Sequence, residues 1–398
     1  MSQRRTKSGF IIAAAFIGPG TVSTASLAGA NFGFHLVWAL VFSVLATIIL
    51  QDMAVRLGYA TRSGMSEALR TQIANPVIRV LLSLLVVGAI GIGNAAYESG
   101  NLTGAAIGLN GIVGIGIPAW SCVLGGLAIL LLWSGHYKLI ETVLVMLVAI
   151  MAMVFVVTFA VSKPDWAAMA GQLFAPLASM NSITTILALI GTTIVPYNLF
   201  LHASLVAQSE QDGSQPAGYY RRQSALAIGV GGLITLFIMA TAMQAFYGQA
   251  EALNAGNLAK QLAPLLGDFA ELFFALGMFA AGLTSAITAP LAAAYAVTGA
   301  LNKPSDMRGI WFRAVWLSII LIGVGFTLSG TKPLMAIMFA QAANGLLLPV
   351  IALLLLFMMN RHSQLGLLKN HWSANVAGLA VVGLIGWLSW QKFMYRVG

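Results

Sequence analysis

The chain has 398 residues, 59% of them hydrophobic and 8% charged, with a formal net charge of +9 at pH 7. Soluble domains carry roughly 25% charged residues, and a bilayer crossing takes about 20 apolar ones, so this composition leaves no room for a soluble catalytic domain beside the membrane spans. The positive balance raises the question of nucleic acid or another anionic partner, which membrane topology answers without one.

In chain order, the opening Met1-Ser2-Gln3-Arg4-Arg5-Thr6-Lys7 precedes apolar sequence with no small-residue cleavage site, so it is expected to be a cytoplasmic tail and not a signal peptide. Apolar runs then predict eleven spans at 10–30, 34–57, 77–100, 117–134, 139–161, 183–205, 224–246, 267–299, 311–328, 334–358 and 372–393. With the N-terminus inside, fifteen Lys and Arg fall on the cytoplasmic side and five on the other. That bias places the N-terminus in the cytoplasm and the C-terminus outside, and it accounts for the charge. The stretch 250–266, with Pro264, reads as an extracellular connecting segment. Cys122 is the only cysteine, which excludes an internal disulfide and a thiolate cluster, and it is expected to be a packing residue.

Spans 1 and 6 carry helix-breaking residues in their middles, Gly18-Pro19-Gly20 and Val195-Pro196-Tyr197. A proline alone only kinks a transmembrane helix. Two glycines around one discourage continuous helix and let the backbone be approached closely. Two such helices five spans apart predict an inverted repeat whose first helices unwind at the solute site. The chain is therefore expected to be a single membrane transport domain, 1–398, with repeats at about 10–161 and 183–358 and an extra helix at 372–393.

The run Phe16-Ile17-Gly18-Pro19-Gly20-Thr21 through Ala28-Gly29-Ala30, followed by Gln51-Asp52-Met53-Ala54-Val55-Arg56-Leu57-Gly58, resembles helices 1 and 2 of the NRAMP family of proton-coupled divalent-metal transporters. Pro196-Tyr197-Asn198-Leu199-Phe200-Leu201-His202 resembles its helix 6, Gly104 to Leu109 the end of its helix 3, and Gln341 falls where its helix 10 carries a glutamine. The resemblance implies an all-α polytopic membrane protein of about eleven helices. Its implied fold is a five-plus-five inverted repeat of the LeuT type with helices 1 and 6 broken. In that family the metal is held by Asp-Pro-Gly-Asn in helix 1 and by the methionine of Met-Pro-His in helix 6. Here Gly18, Thr21 and Val195 stand where the carboxylate, amide and thioether would be, and Tyr197 replaces the neighbouring histidine.

A divalent cation at bilayer depth needs compensating negative charge, and neither carboxylate nor thioether is present at these breaks, so no metal ligand and no cofactor is assigned. Hydroxyls, amides and bare backbone remain: Gly18, Gly20, Thr21, Thr24, Thr192, Thr193, Tyr197, Asn198 and Gln341 are the expected substrate-binding residues. Free N–H groups at a resumed helix carry partial positive charge and favour an anion. The expected cargo is a small inorganic or organic anion, bicarbonate or a short carboxylate, moved with H⁺ or Na⁺ across a bacterial inner membrane. The same hydroxyls could instead only satisfy freed backbone groups.

Glu98 in span 3 is the most informative acid, and the resemblance puts it on the family's proton route, whose next acid reads Asn101 here. His202 matches a family histidine of proton handling or gating, and equally reads as a hydrogen-bonded structural residue. Asp52 and Arg56 are spaced to pair on one helix face as a structural or gating pair. Glu67, Glu141, Asp268 and Glu271 read as solvated charges or locks between elements. The alternative function is a divalent-cation transporter with a rebuilt site that a carboxylate such as Glu98 reaches. A non-transporting sensor is the third, although no signalling domain follows helix 11 in this sequence. No nucleophile and base pattern points to an enzyme.

Overall fold

A computed structural model of the chain describes residues 17–134, 137–161, 166–173, 182–211 and 215–397. The basic tail and the first part of the 10–30 span lie outside the described residues, as does the Glu141 side chain. The described residues are helical or in turns, with no strand among them.

The helices are α1 (Pro19–Phe32), α2 (Val37–Thr61), α3 (Met65–Gln72), α4 (Pro76–Ile112), α5 (Ile117–Ser134), α6 (Tyr137–Val161), α7 (Trp166–Leu173), α8 (Ile183–Thr193), α9 (Pro196–Gln211), α10 (Ala217–Phe246), α11 (Ala270–Ala300), α12 (Ile310–Thr327), α13 (Pro333–Arg361) and α14 (Trp372–Val397). Nine spans among the described residues are long and apolar enough to cross a membrane, with α8 and α9 counted together as one of them. Seven contain the corresponding predicted span, and the other two match theirs except that 34–57 starts three residues before Val37 and 311–328 ends one residue after Thr327. The other two predictions correspond to α1 and to α6, whose residues 145–161 form a shorter apolar helix.

Both breaks are where glycine and proline place them. Gly18 is extended, φ −98° and ψ 174°, and α1 starts at Pro19. The second break falls at Ile194 and Val195, between α8 and α9, which starts at Pro196. Proline suits a first helical position because its missing N–H has no helical partner there. It does not break a helix by itself in this bundle: α11 passes Pro290 and α13 passes Pro349 without interruption.

The broken helices lie at the centre. The most apolar window of the Ile183–Ser209 span is 94% buried, against 22% for the Trp372–Met394 span at the periphery. Helix α1 packs on α10 and α8, α8 on α13, and α4 on α11, α12 and α13. Lipid gives helices no hydrophobic reason to associate, so close backbone approach at small residues does that work. Gly191 of α8 rests against the Gln341 backbone of α13, Gly29 of α1 against the Met239 carbonyl of α10, and Gly58 of α2 against Ala203 of α9.

Four expectations need correction or sharpening. Helix α4 runs on to Ile112 beyond the predicted 77–100, because Ser99, Asn101 and Thr103 are buried among neighbouring helices and do not end the span. Cys122 lies exposed on α5, beside the exposed Val123, and not in the packing. The 250–266 stretch does more than connect: Gln261 is fully buried and accepts a 3.1 Å hydrogen bond from Ser26 of α1. Among the boundary acids, Glu67 is a lock, accepting from Ser305 at 3.3 Å, while Asp268 and Glu271 are exposed. Burial holds the Glu67 carboxyl above the usual carboxylate range.

Candidate functional site

The two breaks meet. Thr21, in the first turn of α1, and Thr192, in the last turn of α8, place their hydroxyl oxygens 3.0 Å apart with both side chains buried. Around this bridge α4, α11 and α13 supply the remaining wall. A Cβ built on Gly20 would overlap the Gln341 amide of α13, and one on Gly18 would stand 3.0 Å from Ser285 Oγ of α11 and 3.8 Å from the Tyr97 hydroxyl of α4. Gly20 is thus needed for close approach, whereas a side chain at Gly18 asks only a few tenths of an ångström of Ser285; neither glycine has positive φ.

Tyr197 packs edge to face on Tyr97, with ring centroids 5.3 Å apart at 68°. The Tyr97 hydroxyl is within interaction reach of Tyr197 and of Gln341. Among the described residues neither atom of the buried Gln341 amide has a hydrogen bond of ordinary geometry, and the same holds for Thr24 Oγ1, Ser23 Oγ, Asn198 Nδ2 and Asn344 Nδ2. Buried polar atoms are nearly always paired. Of these groups, the Gln341 amide is the one that stands directly against Gly20 at the start of α1.

The structure therefore brings Gly18, Gly20, Thr21, Thr192, Tyr197 and Gln341 into one group. Thr193 points elsewhere, its hydroxyl donating to Leu189 O of its own helix at 2.9 Å. Sequence reasoning missed Tyr97 and Ser285. Their signal was faint: Tyr97 precedes Glu98 in the chain, and Ser285 sits with Thr284 and Thr288 in a mostly apolar span.

Glu98 is fully buried but faces α12: a Cβ on Gly323 would be 2.8 Å from Glu98 Cγ. Its Oε2 accepts from Asn101 Nδ2 at 3.1 Å and its Oε1 has no partner among the described residues. His202 lies along α9 from the break, with Nδ1 2.8 Å from Gln51 Oε1 of α2. Among the described residues no group of three or more His, Cys, Asp or Glu could hold a metal ion. The donor set at the breaks is hydroxyl, phenol and carboxamide, which orients a solute through hydrogen bonds and supplies no negative charge of its own.

Among the described residues, nine spans long and apolar enough to cross a membrane, with the start of α1 and the α8–α9 break sharing one polar junction, are the architecture of a polytopic membrane transporter. The profile of the family described as "Natural resistance-associated macrophage protein-like" (Nramp) matches residues 9–394, and the chain belongs to that family.

Its relatives carry metal names. It is 31% identical over 307 residues to the metal transporter nramp1 homolog of Dictyostelium discoideum, a match covering 75% of this chain and 57% of that protein. It is 29% identical over 396 residues to the divalent metal cation transporter MntH of Klebsiella pneumoniae strain 342, covering 95% of this chain and 92% of the relative. The fold matches that of the Eremococcus coleocola manganese transporter with a TM-score of 0.73 at 21% identity, over 97% of this chain and 84% of the other. It also matches Mhp1, a nucleobase–cation symporter, with a TM-score of 0.58 at 14% identity over 97% of this chain and 93% of the other. The protein thus has the LeuT-type fold, with helices 1 and 6 broken. The relatives' names favour the divalent-cation alternative over the expected anion.

Proposed function

We propose that the protein is a secondary transporter whose solute sits at the junction of the two breaks, and that this solute is a small anion such as bicarbonate or a short carboxylate, moved with H⁺ or Na⁺. The observation that carries the reading is the donor set. Thr21, Thr192, Tyr97, Tyr197 and Gln341 converge there, with no carboxylate or thioether among them. The first turns of α1 and α9 add N–H groups with partial positive charge. The roles of Thr24 and Asn198 as further contacts, and of Glu98 and His202 in ion coupling, belong to the same proposal. So does placement in a bacterial inner membrane with the N-terminus inside, which the distribution of basic residues supports.

A second reading, transport of a divalent cation such as Mn²⁺ or Mg²⁺, is favoured by the names of the relatives and is the one the comparisons support more strongly. It requires compensating charge, and Glu98, directed toward α12, is the buried carboxylate nearest to supplying it. The two readings separate in proteoliposomes, by comparing Mn²⁺ and Mg²⁺ uptake with uptake of labelled bicarbonate and short carboxylates. Saturable anion uptake without cation uptake supports the first. Saturable divalent-cation uptake that Glu98→Gln abolishes overturns it.

A further inference from the structure

Away from the breaks, four charged side chains line one cavity. At one end of the bundle α2, α10 and α14 enclose an open cavity of about 480 Å³. Arg56, Arg221, Arg222 and Asp52 all line it. Arg56 Nε donates to Asp52 Oδ2 at 2.9 Å, and Arg221 Nε donates to Asp52 Oδ1. Arg56 is further fixed by Leu368 O and Asn370 Oδ1, both at 2.8 Å. One carboxylate is thus shared by two guanidinium groups. Arg222 makes no ion pair among the described residues. Three arginines against one aspartate leave this cavity with a formal charge of +2.

The cavity is also graded along the membrane normal. Ile48 lies one turn deeper on α2 than Asp52, and Ala225 one turn deeper on α10 than Arg221 and Arg222. On α14 the facing residues are Ala374 and Ala377, small enough to leave a groove. The charged groups therefore stand at the rim and the apolar wall runs inward. Aromatic residues mark the depth: Tyr59 at the end of α2 packs on Tyr220 at the start of α10, and Trp372 opens α14 with 69% exposure. Such residues collect at the level of lipid headgroups.

We propose that this cavity is a binding site for an anionic phospholipid, with the phosphate at Arg221 and Arg222 and the first acyl methylenes along Ile48, Ala225 and Ala377. A soluble anion would need the charged rim but would have no use for the apolar wall. Basic pockets between transmembrane helices hold anionic headgroups in this manner. By fixing α10 and the peripheral α14 against α2, a bound lipid would tie both to the helix whose Gln51 holds His202.

The test uses the purified full chain and native mass spectrometry, with phosphatidylglycerol, phosphatidylcholine of the same acyl chains, and inorganic phosphate as probes. Phosphatidylglycerol should be retained in preference to phosphatidylcholine. Arg222→Gln should weaken that retention about fivefold, the factor corresponding to about 1 kcal/mol per basic residue at a charged surface. Ala377→Leu, which fills the groove with every charge intact, should weaken it as well and decides the matter if the arginine variant does not fold. Equal retention of the two lipids, or unchanged retention in the variants, overturns the proposal. Competition by inorganic phosphate as effective as that by phosphatidylglycerol also overturns it, in favour of a soluble-anion site.

Discussion

Replacing Thr21 or Thr192 with valine deletes a hydroxyl while keeping the shape of the side chain, and the two hydroxyls stand 3.0 Å apart between α1 and α8. Both residues are buried, with 2% and 1% exposure. Depriving a buried hydroxyl of its partner costs about 1–3 kcal/mol, whereas replacing both partners with apolar groups of the same shape is close to neutral. Thr21→Val, which takes from the Thr192 hydroxyl the partner it has here, should therefore be destabilised by that order, and Thr192→Val by less. The double variant should lose less than the sum, with a coupling of about 1 kcal/mol. The assay is the thermal midpoint of the four purified proteins in detergent, read alongside solute binding. Strictly additive shifts would refute a direct contact between the two broken helices. Binding adds a second decision. If the double variant regains stability yet loses solute affinity, the hydroxyls serve the solute. If it binds as the wild type does, they serve only the backbone.

Three further outcomes follow from particular contacts. Gly191→Ala would drive a Cβ into the Gln341 carbonyl and to 2.7 Å from the Gly345 nitrogen, so the midpoint should fall by an amount corresponding to about 1–3 kcal/mol; a wild-type midpoint would contradict the close α8–α13 contact. Glu98→Gln should make uptake insensitive to an imposed pH gradient, whereas an unchanged gradient dependence would leave Glu98 a structural residue on α12. Burial raises the Glu67 carboxyl above its ordinary range, so its contribution to stability is fully present below that ordinary range and is lost as pH rises through the raised value. Glu67→Gln keeps a hydrogen-bonding group opposite Ser305, and its midpoint should match the wild type in acid and exceed it at neutral pH; equal midpoints across the range would contradict the burial penalty.

The breaks were legible in the sequence because glycine and proline act locally, through φ and a missing N–H, whatever surrounds them. The wall of the site was less so. In a bundle apolar on every side, hydrophobic periodicity does not say which face of a helix turns inward, so Tyr97 and Ser285 carried no signal that set them apart. Thr193 shows the same limit from the other side, since its neighbour Thr192 crosses to α1 while it bonds its own helix. Polar residues also misled on length: Ser99, Asn101 and Thr103 looked like the end of a span, and their burial shows them to be its inner face. The Gln261 contact with Ser26 joins positions 235 residues apart, which no local pattern encodes.

The most direct test of the anion reading is a charge placed at Gly18. Its φ of −98° accepts a side chain, and a new Cβ would need Ser285 Oγ, 3.0 Å away, to give by only a few tenths of an ångström. Two like charges ~5 Å apart at an effective dielectric constant of about 20 repel by about 3 kcal/mol, a loss of affinity on the order of 100-fold. Equilibrium binding of labelled carboxylate and of Mn²⁺ should be measured on the wild type and on Gly18→Asp. The account predicts that the wild type binds the carboxylate and not Mn²⁺, and that the variant loses carboxylate binding by about two orders of magnitude. Saturable Mn²⁺ binding by the wild type, strengthened in Gly18→Asp, would contradict it.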